Sequence, residues 1–482
     1  MVVKQVCTFA IGVLLARLLG PHPFGIIAVA MLLSGLAGLI ADFGFSAALV
    51  QRKTVTEHDV RFAFTAQLAL AVVLAGATFT AAPLFAAIFH QPAAVSVIRV
   101  LSAVFIIQAV GQVSAALLKR NLRFRDLQAA QVGSYLVAYV GIGIPLAAGG
   151  YGVWSLVAAQ IAQTGLRSAW LYSQERHPLG FACRPSDSGL GVFGAKVIAT
   201  NIANWSISNL DNAFVGRFFT AVDLGFYTRI FVLVMTPVDA MVTTMQQVLF
   251  PAYCRARSRD EAATRTYLAS VSAVLLLVAP AALVVAVIPQ TVVSGLLGAE
   301  WVLAVPLLVP LALAAPFHAA MGMAGPLLWG QDAVGRELRM QVRVAALAGG
   351  VLLVASRYSV PVMAWAVAGI YVVRCVLVTG ALVSRQRLPV WSLARIAGRP
   401  FMLAATIAAA VFLLDQLLSD QGMAAPVRLL TNATTGVGAW ILLLLCMPSA
   451  FITPSLRVSL SRVERHFPTR LRPFLQQLTA GA

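Results

Sequence analysis

The chain has 482 residues, 60% of them hydrophobic and 11% charged, with a mean hydropathy of +0.86. A soluble globular chain is about 45–50% apolar and about 25% charged, so this composition excludes a soluble enzyme and describes an integral membrane protein. The net charge of +18, from 35 basic and 17 acidic residues, is scattered among short segments between apolar runs; that scatter marks membrane topology and excludes a nucleic-acid surface.

Apolar runs bounded by Pro, Gly or Arg fall at 2–19, 23–44, 60–88, 95–118, 127–149, 151–173, 190–216, 224–250, 266–288, 301–329, 338–356, 360–383, 400–419 and 426–447. A spanning helix needs about 20 apolar residues, whereas a barrel strand needs about 9–11 of alternating polarity. The expected fold is therefore an all-α integral membrane protein with about 14 transmembrane helices. The first run is expected to be a retained helix, because no small-residue cleavage site precedes Gly20-Pro21.

The connecting segments show a strong charge bias. Even-numbered segments and the C-terminal tail carry 24 basic residues, against 5 at odd-numbered segments and adjoining helix ends (Arg17, Arg217, Arg229, Arg357 and Arg428). Cytoplasmic loops accumulate Lys and Arg, so both termini are expected in the cytoplasm, which requires an even number of spans. An internal repeat appears at an offset of 200 residues: LLARLLGPHPFGIIAV at 14–29 aligns with AFVGRFFTAVDLGFYTRI at 213–230, pairing Arg17 with Arg217 and Gly25 with Gly225. Two six-helix lobes related by a pseudo-two-fold axis follow. The expected organisation is an N-lobe at 1–173, a cytoplasmic linker at 174–189, a C-lobe at 190–383, a cytoplasmic loop at 384–399, a helix pair at 400–447 and a tail at 448–482. In that tail Leu456, Leu460, Val463, Phe467, Leu471, Phe474 and Leu478 share one helical face opposite five arginines, the pattern of a helix lying on an anionic leaflet.

Charged residues inside spanning helices are costly, about 2.5–3.5 kcal/mol on insertion scales, and mark functional positions. In the run 190–216, Lys196, Thr200, Asn204, Ser208 and Asp211 recur at steps of 4, 4, 4 and 3, within an arc of about 120°. Such a ridge faces a polar cavity or ties helices together by hydrogen bonds, and Lys196 also has the option of snorkelling to the cytoplasm. Thr236, Asp239, Thr243 and Gln246 repeat the pattern in the next run, Gln160, Gln163 and Arg167 share a face earlier, and Arg374 lies mid-span. Arg374 calls for an acidic partner on another helix, an anionic ligand or water.

The candidate substrate contacts are thus Arg167, Lys196, Asn204, Asp211, Arg217 and Arg374. Candidate gating or ion-coupling residues are Arg17, Asp42, Arg229 and Asp239, with an Arg17–Asp42 corner pair as the structural alternative. Cations outnumber acids in this set, so a cavity between the lobes would suit phosphate or an acidic sugar, which Arg binds bidentately. No P-loop is present, the six histidines lack metal-ligand spacing and the five cysteines form no CxxC pair. No catalytic residue, metal or cofactor is expected.

The segments LLARLLGPHPFGIIAVA, DFGFSAALVQRK, LLKRNLRFR, GGYGVWSLVAAQ, LDNAFVGRFFTAVDLGFYTRIFVLVMTPVDA and QQVLFPAYCR resemble the Wzx-type polysaccharide exporters, particularly the WzxC-like branch, of the multidrug/oligosaccharidyl-lipid/polysaccharide flippase superfamily. The resemblance implies two six-helix lobes around a cationic cavity plus a further helix pair. It also implies transport of an undecaprenyl-pyrophosphate-linked oligosaccharide from the cytoplasmic to the periplasmic leaflet of the inner membrane, for exopolysaccharide, capsule or lipopolysaccharide. The polymerase and chain-length machinery would be partners. Arg17, Asp42, Asp211, Asn212, Arg217 and Arg229 stand at the family's polar positions, while family members usually have more residues before the first helix. An ion-coupled multidrug antiporter and a non-transporting assembly scaffold are the alternative functions; the former would be expected to carry an acidic excess in its cavity.

Overall fold

The computed structural model describes residues 2–41, 55–180, 208–255, 260–324, 334–386 and 390–452, with positions 49, 182, 205 and 456 besides. All regular elements among them are helical: α1 (Val2–Leu19), α2 (Pro21–Ala41), α3 (Glu57–Ile88), α4 (Ala94–Arg120), α5 (Phe124–Ala138), α6 (Ile144–Ala148), α7 (Val153–Gln174), α8 (Leu210–Phe218), α9 (Ala221–Arg255), α10 (Asp260–Val287), α11 (Pro289–Leu296), α12 (Val305–Gly322), α13 (Val334–Ala355), α14 (Val360–Gln386), α15 (Val390–Asp420), α16 (Ala425–Cys446) and α17 (Pro448–Phe451). Helix is the expected outcome, because a chain in hydrocarbon must satisfy its backbone polar groups internally. Among the described residues ten stretches are long and apolar enough to cross a membrane, and Gln5–Leu19 and Arg343–Ala355 are shorter apolar helices. The run 151–173 forms α7, and of the run 190–216 only the end is described.

Several boundaries differ from the apolar runs for local reasons. α3 starts at Glu57 because Thr56 and Asp59 form a capping box, each side chain bonding the other's backbone N–H. α15 begins at Val390, well before the apolar run at 400, since an Arg-bearing turn continues a helix into the aqueous boundary. The run expected at 301–329 opens with a 3-10 turn at Ala299–Ala304 and continues as α12, while the connecting segment before it forms the short helix α11, with a break between helix and turn. The break lies at Gly298, whose φ of 98° suits glycine, the residue that takes positive φ at least cost. The fifth run is also interrupted, by a π turn at Tyr139–Gly143 between α5 and α6.

The chain packs as two compact units, Met1–Thr228 and Arg229–Ala482. In the first, α3 and α4 form an antiparallel pair, α7 lies along α4, and α1 meets the π turn. Ile98, Leu101 and Leu118 are fully buried there. The beginnings of α2 and α9 touch through their backbones: a methyl group at Gly25 would overlap the Ala221 carbonyl, and one at Gly225 would overlap the Pro21 carbonyl. Residues 21 and 25 thus meet 221 and 225 reciprocally, the self-complementary contact of a local two-fold axis.

In the second unit α10 is central, flanked by α12 and α15, with α14 on α12 and α16 on α15. Ala314, Ala315, Ala319 and Ala320 face this core, and such small residues let membrane helices approach closely. A buried polar knot ties three helices together. Arg428 of α16 contacts both oxygens of Asp415 on α15, at 3.2 and 2.7 Å, while Thr291 of α11 donates at 3.0 Å and Asn432 at 2.7 Å.

Candidate functional site

In the first unit the polar residues gather where α8 gives way to α9. Asp211 is buried, and its Oδ2 accepts a hydrogen bond from the Tyr227 hydroxyl at 2.7 Å, while Oδ1 accepts from the Asn212 backbone N–H at 2.9 Å. Beside it, Asn212 Oδ1 is buried with no hydrogen-bond partner among the described residues. At the far end of α8, exposed Arg217 turns the other way and donates to His90 Nδ1 at 2.9 Å.

A second polar surface of this unit runs between α5 and α7. Tyr135 and Tyr139 stack with ring centroids 4.5 Å apart, and the Tyr139 hydroxyl donates to Gln160 Oε1 at 3.1 Å. Tyr139 opens the π turn, a distortion that often accompanies function because it re-aims side chains. Arg167 is half-buried further along the Gln160 face.

In the second unit, Asp239 of α9 lies 2.7 Å from His318 Nε2 on α12. The Tyr371 ring of α14 meets the imidazole edge-on, with centroids 5.2 Å apart. Arg374 follows three residues later on α14, half-buried on the neighbouring turn. Further along α9, Gln246 donates to the Gly322 carbonyl at 2.6 Å. The outer side of this unit carries an apolar groove of about 380 Å³ between α9, α10, α15 and α16, walled by Pro280, Val284, Leu429, Val437 and Trp440.

The sequence-predicted residues therefore separate into groups. Asp211 and Arg217 stand at opposite ends of α8, Arg167 lies on α7, and Arg17 is exposed in the last turn of α1. Arg229 and Asp239 share α9, about 15 Å apart at 1.5 Å per residue. Arg17, Arg167, Arg229 and Arg374 are each engaged by neighbouring groups. Lys196, Asn204 and Asp42 lie outside the described residues, as does the amphipathic tail beyond 456. His318 and Tyr227 were missed by sequence reasoning. The signal for His318 was present, an ionisable side chain inside the apolar stretch PFHAAMG, but metal-ligand spacing alone does not detect it.

Comparison with known proteins places this geometry in context. The chain is 23% identical to the teichuronic acid biosynthesis protein TuaB of Bacillus subtilis (strain 168), over 85% of each chain. It is 24% identical to the lipopolysaccharide biosynthesis protein WzxC of Escherichia coli (strain K12), over 68% of this chain and 67% of the other. Its fold is similar to that of the lipid II flippase MurJ in an inward closed conformation, with a TM-score of 0.72 at 12% identity, covering 92% and 97% of the two chains. An inward-facing multidrug resistance MATE transporter shares the fold at a TM-score of 0.57 and 18% identity, over 80% of this chain and 94% of that one. The family described as Polysaccharide biosynthesis protein matches residues 14–306. As that match spans more than half of the chain, this multi-pass membrane protein belongs to the polysaccharide biosynthesis protein family.

Proposed function

We propose that the protein is a flippase carrying a polyprenyl-pyrophosphate-linked oligosaccharide from the cytoplasmic to the periplasmic leaflet of the inner membrane, as a step in polysaccharide assembly. The observation that carries this reading is the sign of the intramembrane charge. Arg167, Lys196 and Arg374 within the spans, with Arg17, Arg217 and Arg229 at their outer ends, outnumber Asp42, Asp211 and Asp239. Neighbouring groups engage acids and arginines alike, and the cations remain the larger set. A surplus of arginine suits pyrophosphate and acidic sugars, and relatives named for teichuronic acid and lipopolysaccharide biosynthesis support the same substrate class.

The substrate has two incompatible halves, and the protein offers chemistry for both. Apolar walls around the α9–α16 groove suit a stretch of isoprenoid chain as well as the lipid around it does. The Tyr135–Tyr139 pair with Gln160, and the unpartnered Asn212 oxygen, suit sugar hydroxyls, which need donors, acceptors and flat apolar faces. Alternating access by the lobes at 1–173 and 190–383 would let the head cross in water while the tail stays in lipid. Both termini are cytoplasmic in this reading, and polymerase and chain-length proteins take up the product.

Depletion of the protein in its host tests the proposal. Lipid-linked oligosaccharide should accumulate in the cytoplasmic leaflet, shielded from enzymes added to the outer face of spheroplasts. Unchanged polymer export, or a change confined to drug susceptibility, would count against it and favour an antiporter.

A further inference from the structure

Asp239 and His318 both lie within spanning stretches, Ala221–Gln247 and Ala299–Gly322. His318 Nε2 is 2.7 Å from Asp239 Oδ1, yet the two side chains differ in surroundings: Asp239 is 58% exposed and His318 20%. A carboxylate so open within a spanning stretch faces water, since hydrocarbon does not tolerate it. On the opposite edge of the imidazole, Nδ1 is buried with no hydrogen-bond partner among the described residues. The pair therefore stands where a water-facing surface meets enclosed protein.

We propose that Asp239 and His318 form a proton-binding site whose occupancy is coupled to the packing of α12, so that proton uptake accompanies transport. The inference rests on the flippase reading and adds the coupled ion. Histidine is the side chain that ordinarily changes charge between pH 5 and 8. Proton uptake forms one N–H bond at Nδ1 and takes the pair from a net charge of −1 to 0. In the observed packing that new donor would be buried without an acceptor, an unfavourable arrangement. Protonation therefore favours a different seating of α12 against α9 and α14, one in which Nδ1 meets water or an acceptor. Pro316, two residues before His318, removes a helical hydrogen bond and gives α12 a place to bend.

Other titratable or charged residues on the elements packed around α12 are Asp223, Tyr227 and Arg229 of α9, Asp260, Glu261, Arg265 and Tyr267 of α10, Tyr371, Arg374, Cys375 and Arg385 of α14, and Glu300 of the 3-10 turn. His318 is the one histidine on these elements, which makes it with Asp239 the pair the proposal rests on.

Infrared difference spectroscopy on the full-length protein in lipid nanodiscs, stepped from pH 8 to pH 5.5, tests the site without substrate. An imidazole-to-imidazolium component is expected in the wild type, lost in His318→Gln and shifted in Asp239→Asn. Gln retains a donor toward Asp239, and thermal midpoints show whether each variant is folded. In proteoliposomes holding a fluorescent polyprenyl-pyrophosphate saccharide, a pH difference of two units should change wild-type flipping at least five-fold in one polarity and leave His318→Gln unaffected. Wild-type bands that persist unchanged in both variants, or a His318→Gln protein that still follows the gradient, overturn the proton site. A wild type that shows the bands but never flips the lipid overturns the flippase reading instead.

Discussion

Asp415 is held inside the helical bundle by Arg428, Thr291 and Asn432, which converge on its two oxygens. Burying an ion pair gains little over an apolar pair of the same shape, but removing one partner strands the other charge. Arg428→Leu should therefore destabilise the protein by about 3–5 kcal/mol, while adding Asp415→Leu should restore most of the loss, as read by thermal denaturation in detergent. Equal losses in the single and double variants would mean that the charge is not confined as the geometry indicates. At the positions proposed to contact substrate the expectation reverses: Arg374→Ala and Lys196→Ala should lower export at least ten-fold while membrane levels stay near normal. Normal export in both would remove these residues from the substrate path. Asp211 and Asp239 were legible in the sequence, because a carboxylate in an apolar run is conspicuous, whereas Asp415 was not singled out. The partners of all three were not legible, since Tyr227, His318 and Thr291 lie 16, 79 and 124 residues away on other helices, and no local pattern joins such pairs.

Helices were legible for the same reason that they form: the bilayer demands long apolar runs, and α1, α3, α4, α7, α10, α14 and α16 follow those runs closely. The π turn at Tyr139–Gly143 was not, because it is a local adjustment within apolar sequence, and neither was the short helix α11 in the segment between two apolar runs. Gly25 and Gly225 were visible as a repeat, but only the structure shows them in mutual contact. At this crossing backbone meets backbone, so no side-chain rotation relieves an added group, and membrane helices depend on such close approach. Gly225→Leu should separate α2 from α9 and reduce export more than ten-fold with the protein still inserted. Gly349→Ala, at a position with open space around it, is the matched control and should behave as wild type. Full export by Gly225→Leu would show that the crossing has no part in transport.

At the scale of the whole molecule, a chain of 60% hydrophobic residues with a net charge of +18 is a multi-pass membrane protein of the polysaccharide biosynthesis protein family. Movement of an anionic lipid-linked glycan is the activity we propose for it, and a basic cytoplasmic face belongs to the same proposal. The most direct measurement is flipping by the purified full-length protein in proteoliposomes, using a fluorescent polyprenyl-pyrophosphate oligosaccharide and a membrane-impermeant quencher. Transfer between leaflets should proceed at least ten-fold faster than in protein-free vesicles, slow on Arg374→Ala substitution and ignore a zwitterionic phospholipid probe. Transfer no faster than in empty vesicles, from protein shown to be folded and inserted, would contradict the assignment.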